Sequence, residues 1–347
     1  MLNELQASVR EIYSKLEDAT SKDIFADRLL YSLTDDHSYI LNIVRKTEEG
    51  KKVSDVLKNN SQKKVIFGAG IWGRNIINAY KDTVFECFLD NKVSDSNSLY
   101  YGLPVVHFNK MKDCLRGGEY LVFISSRLYH EQMYSQLLEA GVKDENIVDV
   151  GGLIDGMSQR QYFDLSVLKE QMSTEEVFVD GGCFDGKTSQ QFVKWCGGKF
   201  KKIYAFEPDP NNLIKCRQML KTYKDKYEII PKGLWDTTGE LKFTAIANGS
   251  SKVSEDGSVV IQVTSLDEVV TEKVTFLKLD VEGSEYRALL GASKIISQQK
   301  PKLAISLYHK PEDIWELPTL LLKLNPDYRF YLRHYSIAAS ETVLYAI

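Results

Sequence analysis

Two doubly wound α/β domains in series, the second ending in an antiparallel hairpin and both preceded by helices, are the architecture this sequence predicts. Three observations predict it. Short apolar runs alternate regularly with amphipathic stretches. Two of those runs, Lys64–Phe67 and Val177–Val179, break into glycine-rich turns that open helices. The last two strand-like runs, Tyr328–Leu332 and Thr342–Ile347, have no helical stretch between them, as expected of a hairpin on a sheet edge. The 347 residues suffice for two separate cores. The expected boundaries are 1–60 for the helical segment, 61–152 for a smaller α/β domain and 160–347 for a larger one.

In residues 1–60, Leu2, Leu5, Val9, Ile12, Tyr13 and Leu16 recur at helical spacing, and Ile24, Leu29, Leu30, Leu33 and Ile40–Val44 continue in shorter pieces. Charged residues fill the other face, which suits a helical cap or a homodimer contact. The strand Lys64–Phe67 then runs into Gly68-Ala69-Gly70-Ile71-Trp72-Gly73 and a helix through Tyr80. A second strand, Phe85–Leu89, ends at Asp90, twenty residues past Gly70. This is the dinucleotide fingerprint of a Rossmann-like unit, with glycines for a close turn and an acid for a ribose. Gly68, Gly70, Gly73 and Asp90 are therefore a candidate site for NAD(P) or a nucleotide-sugar, although the same turn can serve packing alone. Tyr120–Ile124, with Ser125-Ser126-Arg127 at its end, and Ile147–Val150 complete a short sheet. Gly151-Gly152 and the polar Asp155–Arg160 read as a linker, and Gln161–Met172 as an amphipathic helix.

The larger domain alternates from there. Val177–Val179 suits a central strand, and Asp180-Gly181-Gly182-Cys183-Phe184-Asp185-Gly186 is a tight turn, with Thr188 and Ser189 starting a helix to Trp195. Strand Lys202–Glu207, helix Pro210–Tyr223 and strand Tyr227–Pro231 follow. Leu241–Ala247 and Val259–Val263 form a β-rich excursion around the polar loop Asn248–Ser258, which is placed to help enclose an acceptor. Ser265–Glu268 begins a short helix, Val274–Leu279 is a buried strand, and Ser284–Ser297 a helix. Strand Lys302–Leu307 and helix Glu312–Leu324 precede the hairpin.

Bulk composition excludes several classes. With 44 Lys and Arg against 48 Asp and Glu, the net charge of −4 gives no nucleic-acid or membrane surface. The five cysteines never fall as CxxC and the five histidines never as HxH or HExxH, which fits free thiols in a reducing compartment and no zinc site. No apolar stretch approaches membrane-spanning length, and Met1–Asp18 is too charged for a signal peptide, so a cytoplasmic location is expected.

The turn after Val179 differs from a dinucleotide fingerprint. Its Asp-x-Gly-x-x-x-Gly spacing, with the acid first, is similar to the S-adenosylmethionine turn of class I methyltransferases. That ligand has an amino-acid end whose ammonium can be met by Asp180 or by turn carbonyls. Glu207, at the end of the next strand, is placed to accept from both ribose hydroxyls. After the third strand, Trp235 is a stacking face for a purine or a core residue, and Asp236 an acceptor for its amino group.

The segment Lys278-Leu279-Asp280-Val281-Glu282-Gly283-Ser284-Glu285 makes the resemblance more specific: it resembles the Lys-x-Asp-x-Glu-Gly-x-Glu pattern of the FkbM family of methyltransferases. Phe206-Glu207-Pro208, Leu266-Asp267, Gly291-Ala292 and Ala304-Ile305-Ser306-Leu307-Tyr308-His309 resemble the same family, in order, over about residues 160–347. The resemblance implies S-adenosylmethionine as cofactor and methylation of an oxygen on a sugar, glycan or related natural product. It says nothing of residues 1–150. Asp180, Gly181, Gly182, Gly186, Thr188, Glu207, Trp235 and Asp236 are then the expected cofactor contacts.

The acceptor side follows from chemistry. Transfer to a hydroxyl needs in-line alignment and a base. Asp280, Glu282 and His309, each at or past a strand end, are the candidates, and an ordinary histidine titrates near neutral pH. Glu282 and Glu285 equally suit a helix start, and His309, ahead of Lys310-Pro311, a cap. Asp280, Glu282 and Glu285 could hold Mg²⁺, but no further ligand cluster stands out and no metal is assigned. The rival readings are a nicotinamide or nucleotide-sugar enzyme working from Gly68 to Asp90, and a non-catalytic nucleotide-binding scaffold.

Overall fold

A computed structural model describes residues 2–93, 98–223, 225–244, 252–253 and 259–347. The chain forms two compact units: one of Met1–Asp35, Gln161–Arg333 and Glu341–Ile347, the other of Asp36–Arg160 and His334–Ser340. The expected helical segment 1–60 is thus divided. Helices Leu2–Lys15 and Ala19–Thr34 pack on helix Asp313–Leu324 of the first unit. There the buried Arg28 donates to the Leu307 carbonyl at 3.2 Å, and the Asp18 cap binds Arg333 at 2.8 Å. These partners lie some three hundred residues on in the chain, so the sequence alone leaves the apolar faces open between a helical cap and a homodimer contact.

In the first unit seven strands form one sheet: β1 (Glu176–Gly181), β2 (Phe200–Phe206), β3 (Tyr227–Ile230), β4 (Phe276–Leu279), β5 (Lys302–Ser306), β6 (Phe330–His334) and β7 (Thr342–Ala346). The order is β6-β7-β5-β4-β1-β2-β3. Strands β1 to β5 run parallel, and β7 is antiparallel to β5. This is the expected mixed α/β sheet with its closing hairpin. Strand order reverses between β1 and β4, so their C-terminal ends face the crevice in which open α/β sheets bind ligands. The register Gly181↔Leu279 puts the glycine turn and Asp280 side by side. Phe178, Phe192, Trp195 and Phe276 pack around Phe163, and Phe200 packs edge-on against Phe192.

A four-stranded sheet in the order Gly233–Leu234, Val259–Thr264, Gly239–Thr244, Lys252–Val253 is the expected excursion. Apart from Lys252–Val253, the loop 248–258 lies outside the described residues. Two helical expectations change. Gln161–Met172 is helical only over Ser166–Glu170, because Tyr162 takes a positive φ of 75°. The predicted helix Ser284–Ser297 is Glu285–Leu290 followed by a π-helical turn, Ile295–Gln299; Gly291, between them, closes on the Trp235 carbonyl so tightly that a Cβ would collide.

The second unit holds a six-stranded sheet in the order 99–100, 103–107, 87–90, 63–67, 120–124, 147–149, parallel but for its first strand. The expected linker is instead helix Val150–Arg160, with Val150, Ile154 and Met157 buried. Its glycines are there for approach, since a Cβ at Gly151 would collide with the Ser126 carbonyl. No helix among the described residues is long and apolar enough to cross a membrane.

At the N-terminal edge of the larger sheet, Lys302 reaches Glu176 at 2.8 Å, both buried, and Glu176 also accepts from the Ser173 amide at 2.8 Å and from the Thr275 hydroxyl. Removing one partner of such a pair strands a charge. Lys302→Met is expected to cost about 3–5 kcal/mol in a denaturant titration. A midpoint equal to that of the unaltered protein would show that the pair adds nothing to the fold.

Candidate active site

Three glycine positions shape the turn after β1. Gly181 packs under Leu279 and Leu234; Gly182 (φ 75°) would collide with the Asp280 carbonyl if it carried a Cβ; Gly186 (φ 83°) caps helix Lys187–Trp195. Asp185 accepts from the Lys187 amide at 3.1 Å, and Thr188 lies in the first turn of that helix. Glu207, at the end of β2, is buried and ties the turn from below: Oε2 accepts from the Phe184 amide at 3.0 Å and Oε1 from the Asp209 amide at 2.9 Å. Burial raises its pKa. The Asn212 side chain bonds the same carboxylate; of the roughly four acceptor positions of a carboxylate, what remains is open to an incoming hydroxyl pair.

Asp180 and the turn carbonyls, the two expected partners of a ligand ammonium, both face inward onto a lysine. Asp180 is fully buried; Oδ2 accepts from Ser189 Oγ at 2.7 Å, and Oδ1 lies 3.1 Å from the ammonium of Lys278. Lys278 is 1% exposed and also donates to the carbonyls of Gly181 (3.1 Å) and Gly182 (2.9 Å). Burial opposes its charge, but Asp180 and Asp280 outweigh that and raise its pKa. The protein's own ammonium therefore occupies the carbonyls and the carboxylate.

Two residues on, at the end of β4, Asp280 is gripped at both oxygens. Tyr162 donates to Oδ2 at 2.9 Å and Tyr308 to Oδ1 at 3.1 Å, while His309 Nε2 stands 3.5 Å from Oδ1. Burial pushes both tyrosine pKa values well up, so both remain donors. For Asp280 burial acts upward, but Lys278, His309 and the two hydroxyls together hold its pKa below the ordinary value. Nε2 of His309 is also 3.7 Å from Glu282 Oε2, and Nδ1 is 2.9 Å from Glu285 Oε1 in an ion contact rather than an aligned hydrogen bond. Burial alone would lower the His309 pKa; Glu285, Asp280 and Glu282 override it and raise it to about 9. His309 is thus a cation at neutral pH, which removes the reason for preferring it as the base.

Glu282 is the group left to titrate. Burial, opposed by His309, raises its pKa to about 7. Its side chain is the most open of the three, 39% exposed against 22% for Asp280 and 10% for His309. Glu285 is buried and accepts from the Val281 amide at 2.8 Å, the capping role its position allowed. Asp280, Glu285 and His309, rather than the three carboxylates, bring ligand atoms within 4.8 Å of one another. His309 already supplies positive charge at that point.

The remaining candidates separate. Asp236 is bonded to Arg287 at 2.7 Å, whose guanidinium lies over the half-buried Trp235 ring at 5.7 Å. In the second unit, Asp90 turns back onto its own turn, accepting from the Ala69 amide at 3.1 Å and the Lys92 amide at 2.8 Å. Ser125 Oγ donates to the carbonyls of Phe67 and Gly68, and Gly73 makes room for Phe88. Gly68 and Gly73 there serve packing, while nothing lies within 4 Å of a Cβ built on Gly70.

Sequence reasoning missed Tyr162 and Tyr308 as partners of Asp280, and Phe184, whose ring stands 47% exposed on the turn. Only a positive φ marks Tyr162 and Phe184, and φ is not written in residue type.

Residues 180–336 match the methyltransferase FkbM domain. The chain is 30% identical over 146 residues to the hexuronic acid methyltransferase AglP of Haloferax volcanii, covering 38% of this chain and 60% of that relative. The crystal structure of methyltransferase FkbM from Methylobacillus flagellatus KT superposes with a TM-score of 0.51 at 20% identity, over 95% of this chain and 99% of that one. An rRNA methylase from Streptococcus thermophilus is also similar, with a TM-score of 0.34 at 20% identity over 52% of this chain and 89% of that one.

The His309 imidazole should titrate near pH 9 in an NMR titration. Its folded value lies above the ordinary 6.5, so its stabilising contribution is full below about 6.5 and is lost as pH rises toward 9. A midpoint at or below 6.5 would mean that the three carboxylates do not act on it as ionised groups.

Proposed function

We propose that this chain, whose residues 180–336 form a methyltransferase FkbM domain, transfers a methyl group from S-adenosylmethionine to a hydroxyl of a sugar or sugar-linked acceptor. One observation carries the reading: the glycine turn with its tethered Glu207 and the Asp280–Glu282–His309 cluster sit on adjacent strand ends, joined by Lys278. The relative that methylates a hexuronic acid supports the acceptor class.

The residues fit the cofactor. Glu207 has acceptor capacity for both ribose hydroxyls, and the acid-rich crevice suits a ligand carrying a sulfonium and an ammonium. Gly181, Gly182, Gly186 and Thr188 would shape the cradle, and Trp235 and Asp236 its adenine end. Asp180 would act through Lys278, fixing the turn from inside. When bound, S-adenosylmethionine supplies an electrophilic methyl group; everything else is the protein's task.

Glu282 takes the proton from the acceptor hydroxyl. It is the most exposed acid of the cluster, and its pKa of about 7 matches a base working near neutrality. Asp280, kept ionised and held at both oxygens, orients the acceptor. Protonated His309 lies between Asp280, Glu282 and Glu285 and keeps the three carboxylates together. Nothing in this arrangement asks the second unit for chemistry.

Calorimetry with S-adenosylhomocysteine tests the cofactor half: the unaltered protein binds, and Glu207→Ala binds at least about tenfold more weakly, since charge-assisted bonds are worth about 2 kcal/mol. Transfer of labelled methyl to a panel of hexosides and hexuronides tests the other half. Glu282→Gln should lower kcat by about 10²–10⁴-fold with cofactor affinity unchanged. The rate should rise through about pH 7 as Glu282 deprotonates and fall above about 9 as His309 loses its proton. A Glu282→Gln variant as fast as the parent protein would exclude it as the base.

A further inference from the structure

We propose that Tyr162 is a positioning residue for methyl transfer: its hydroxyl, held by Gln161, fixes Oδ2 of Asp280 so that this carboxylate meets the acceptor in one orientation. The proposal rests on reading Asp280 as part of the transfer site. Gln161, Tyr162, Glu341 and Tyr345, the residues that build the device, all lie outside the segment matched as the methyltransferase domain.

The hydrogen bonds form a one-way chain. Gln161 Nε2 has two hydrogens; one goes to the Tyr162 oxygen at 3.0 Å and the other to Glu341 Oε2 at 2.7 Å. With its oxygen accepting from Gln161, Tyr162 has its single O–H left for Asp280 Oδ2, 2.9 Å away. Tyr308 holds Oδ1 at 3.1 Å, so the carboxylate cannot rotate without losing a bond.

The backbone at Tyr162 is held against its preference. Its φ is 75°, a conformation that costs a bulky residue on the order of 1–3 kcal/mol. Its amide donates to the Tyr345 hydroxyl at 3.0 Å from the closing hairpin, which keeps it there. Filling space would not require this. The ring does pack, lying 5.3 Å from the Lys278 ammonium, but phenylalanine would pack as well. Only the hydroxyl explains tyrosine in a strained position.

Asp280 is faced by charged or titratable groups: Lys278 on its own strand, Glu282 and Glu285 after it, Tyr308 and His309 after β5, and Tyr162 from the segment before β1, with Glu341, just before β7, acting on Tyr162, Tyr308 and Glu282. Tyr162→Phe removes one hydroxyl from this set and leaves the ring.

The test uses the full chain with aspartate labelled at its side-chain carboxyl carbon. Asp280 is titrated by NMR in the unaltered protein, Tyr162→Phe and Gln161→Ala, with S-adenosylhomocysteine calorimetry alongside. Tyr162→Phe should bind S-adenosylhomocysteine within about twofold of the parent protein, raise the Asp280 midpoint by about one pH unit, and slow methyl transfer to hexosides about tenfold. Gln161→Ala should move the midpoint the same way by less, and decides the question by the same readout if Tyr162→Phe does not fold. An Asp280 midpoint unmoved in the folded variants overturns the proposal. Failure of the unaltered protein to bind S-adenosylhomocysteine would instead overturn the functional reading, whatever Asp280 does.

Discussion

A lysine ammonium at the C-terminal end of β4 is the interaction on which the rest of the site depends. Lys278 is 1% exposed, and stripping water from such a group costs several kcal/mol. The cost is offset because four oxygens or faces converge on it: the Asp180 carboxylate, the carbonyls of Gly181 and Gly182, and the Tyr162 ring. Each of these belongs to a part of the chain that must be placed for a ligand to bind. The carbonyls belong to the glycine turn, Asp180 carries through Ser189 to the helix that follows it, and Tyr162 carries to Asp280. Replacing the lysine by an apolar residue would leave buried Asp180 without its counter-charge and take one donor from each of the two turn carbonyls, Gly181 keeping only the Asp280 amide.

The same charge sets the roles of the acids. Lys278 and His309 keep Asp280 ionised against burial, and the ring of carboxylates in turn keeps His309 protonated. Histidine in this company is not the neutral-pH base its isolated chemistry suggests. In the proposed reading the proton-accepting role passes to Glu282, whose side chain is the most open of the three and whose pKa burial raises to about 7. Two carboxylates two positions apart, Asp280 and Glu282, are thereby held at different pKa values by their surroundings, a pattern recurrent in acid–base sites.

What the sequence made legible follows from how local each signal is. The strands, the two glycine turns, Glu207 and the Lys278–Glu285 segment were readable because their periods and spacings span a few residues. The burial of Lys278 was half visible, since a lysine inside an apolar strand demands a partner, but not which one. Tyr162 was hidden: its partner Asp280 is 118 residues away and its conformation contradicts the helical pattern around it. The glycines at 151 and 152 misled for a related reason, because glycine chosen for close approach and glycine chosen for a linker look alike. The GAGIWG turn is the second legible motif, and its Asp90 bonds two nearby backbone amides as Glu207 does on the other turn.

Backbone strain draws these observations together. Among the described residues, seven non-glycine positions have positive φ, and four of them are Tyr162, Phe184, Glu282 and Glu341. Phe184 is tied to Glu207 on the turn, Glu282 faces His309, and Tyr162 and Glu341 share Gln161. Such conformations persist only where surrounding bonds over-determine them. At the opposite edge of the sheet, the Lys302–Glu176 pair holds the same strands without positive φ at either residue. Four of the seven strained positions thus gather at the crevice, while Asp35, Tyr101 and Lys300, the last just before β5 at that opposite edge, lie away from it. A reaction that must align a nucleophile within about 3 Å of a transferable methyl gains most from groups that cannot relax, and Tyr162, Phe184, Glu282 and Glu341 are strained positions whose side chains or amides meet, directly or through Gln161, the groups proposed for cofactor and acceptor.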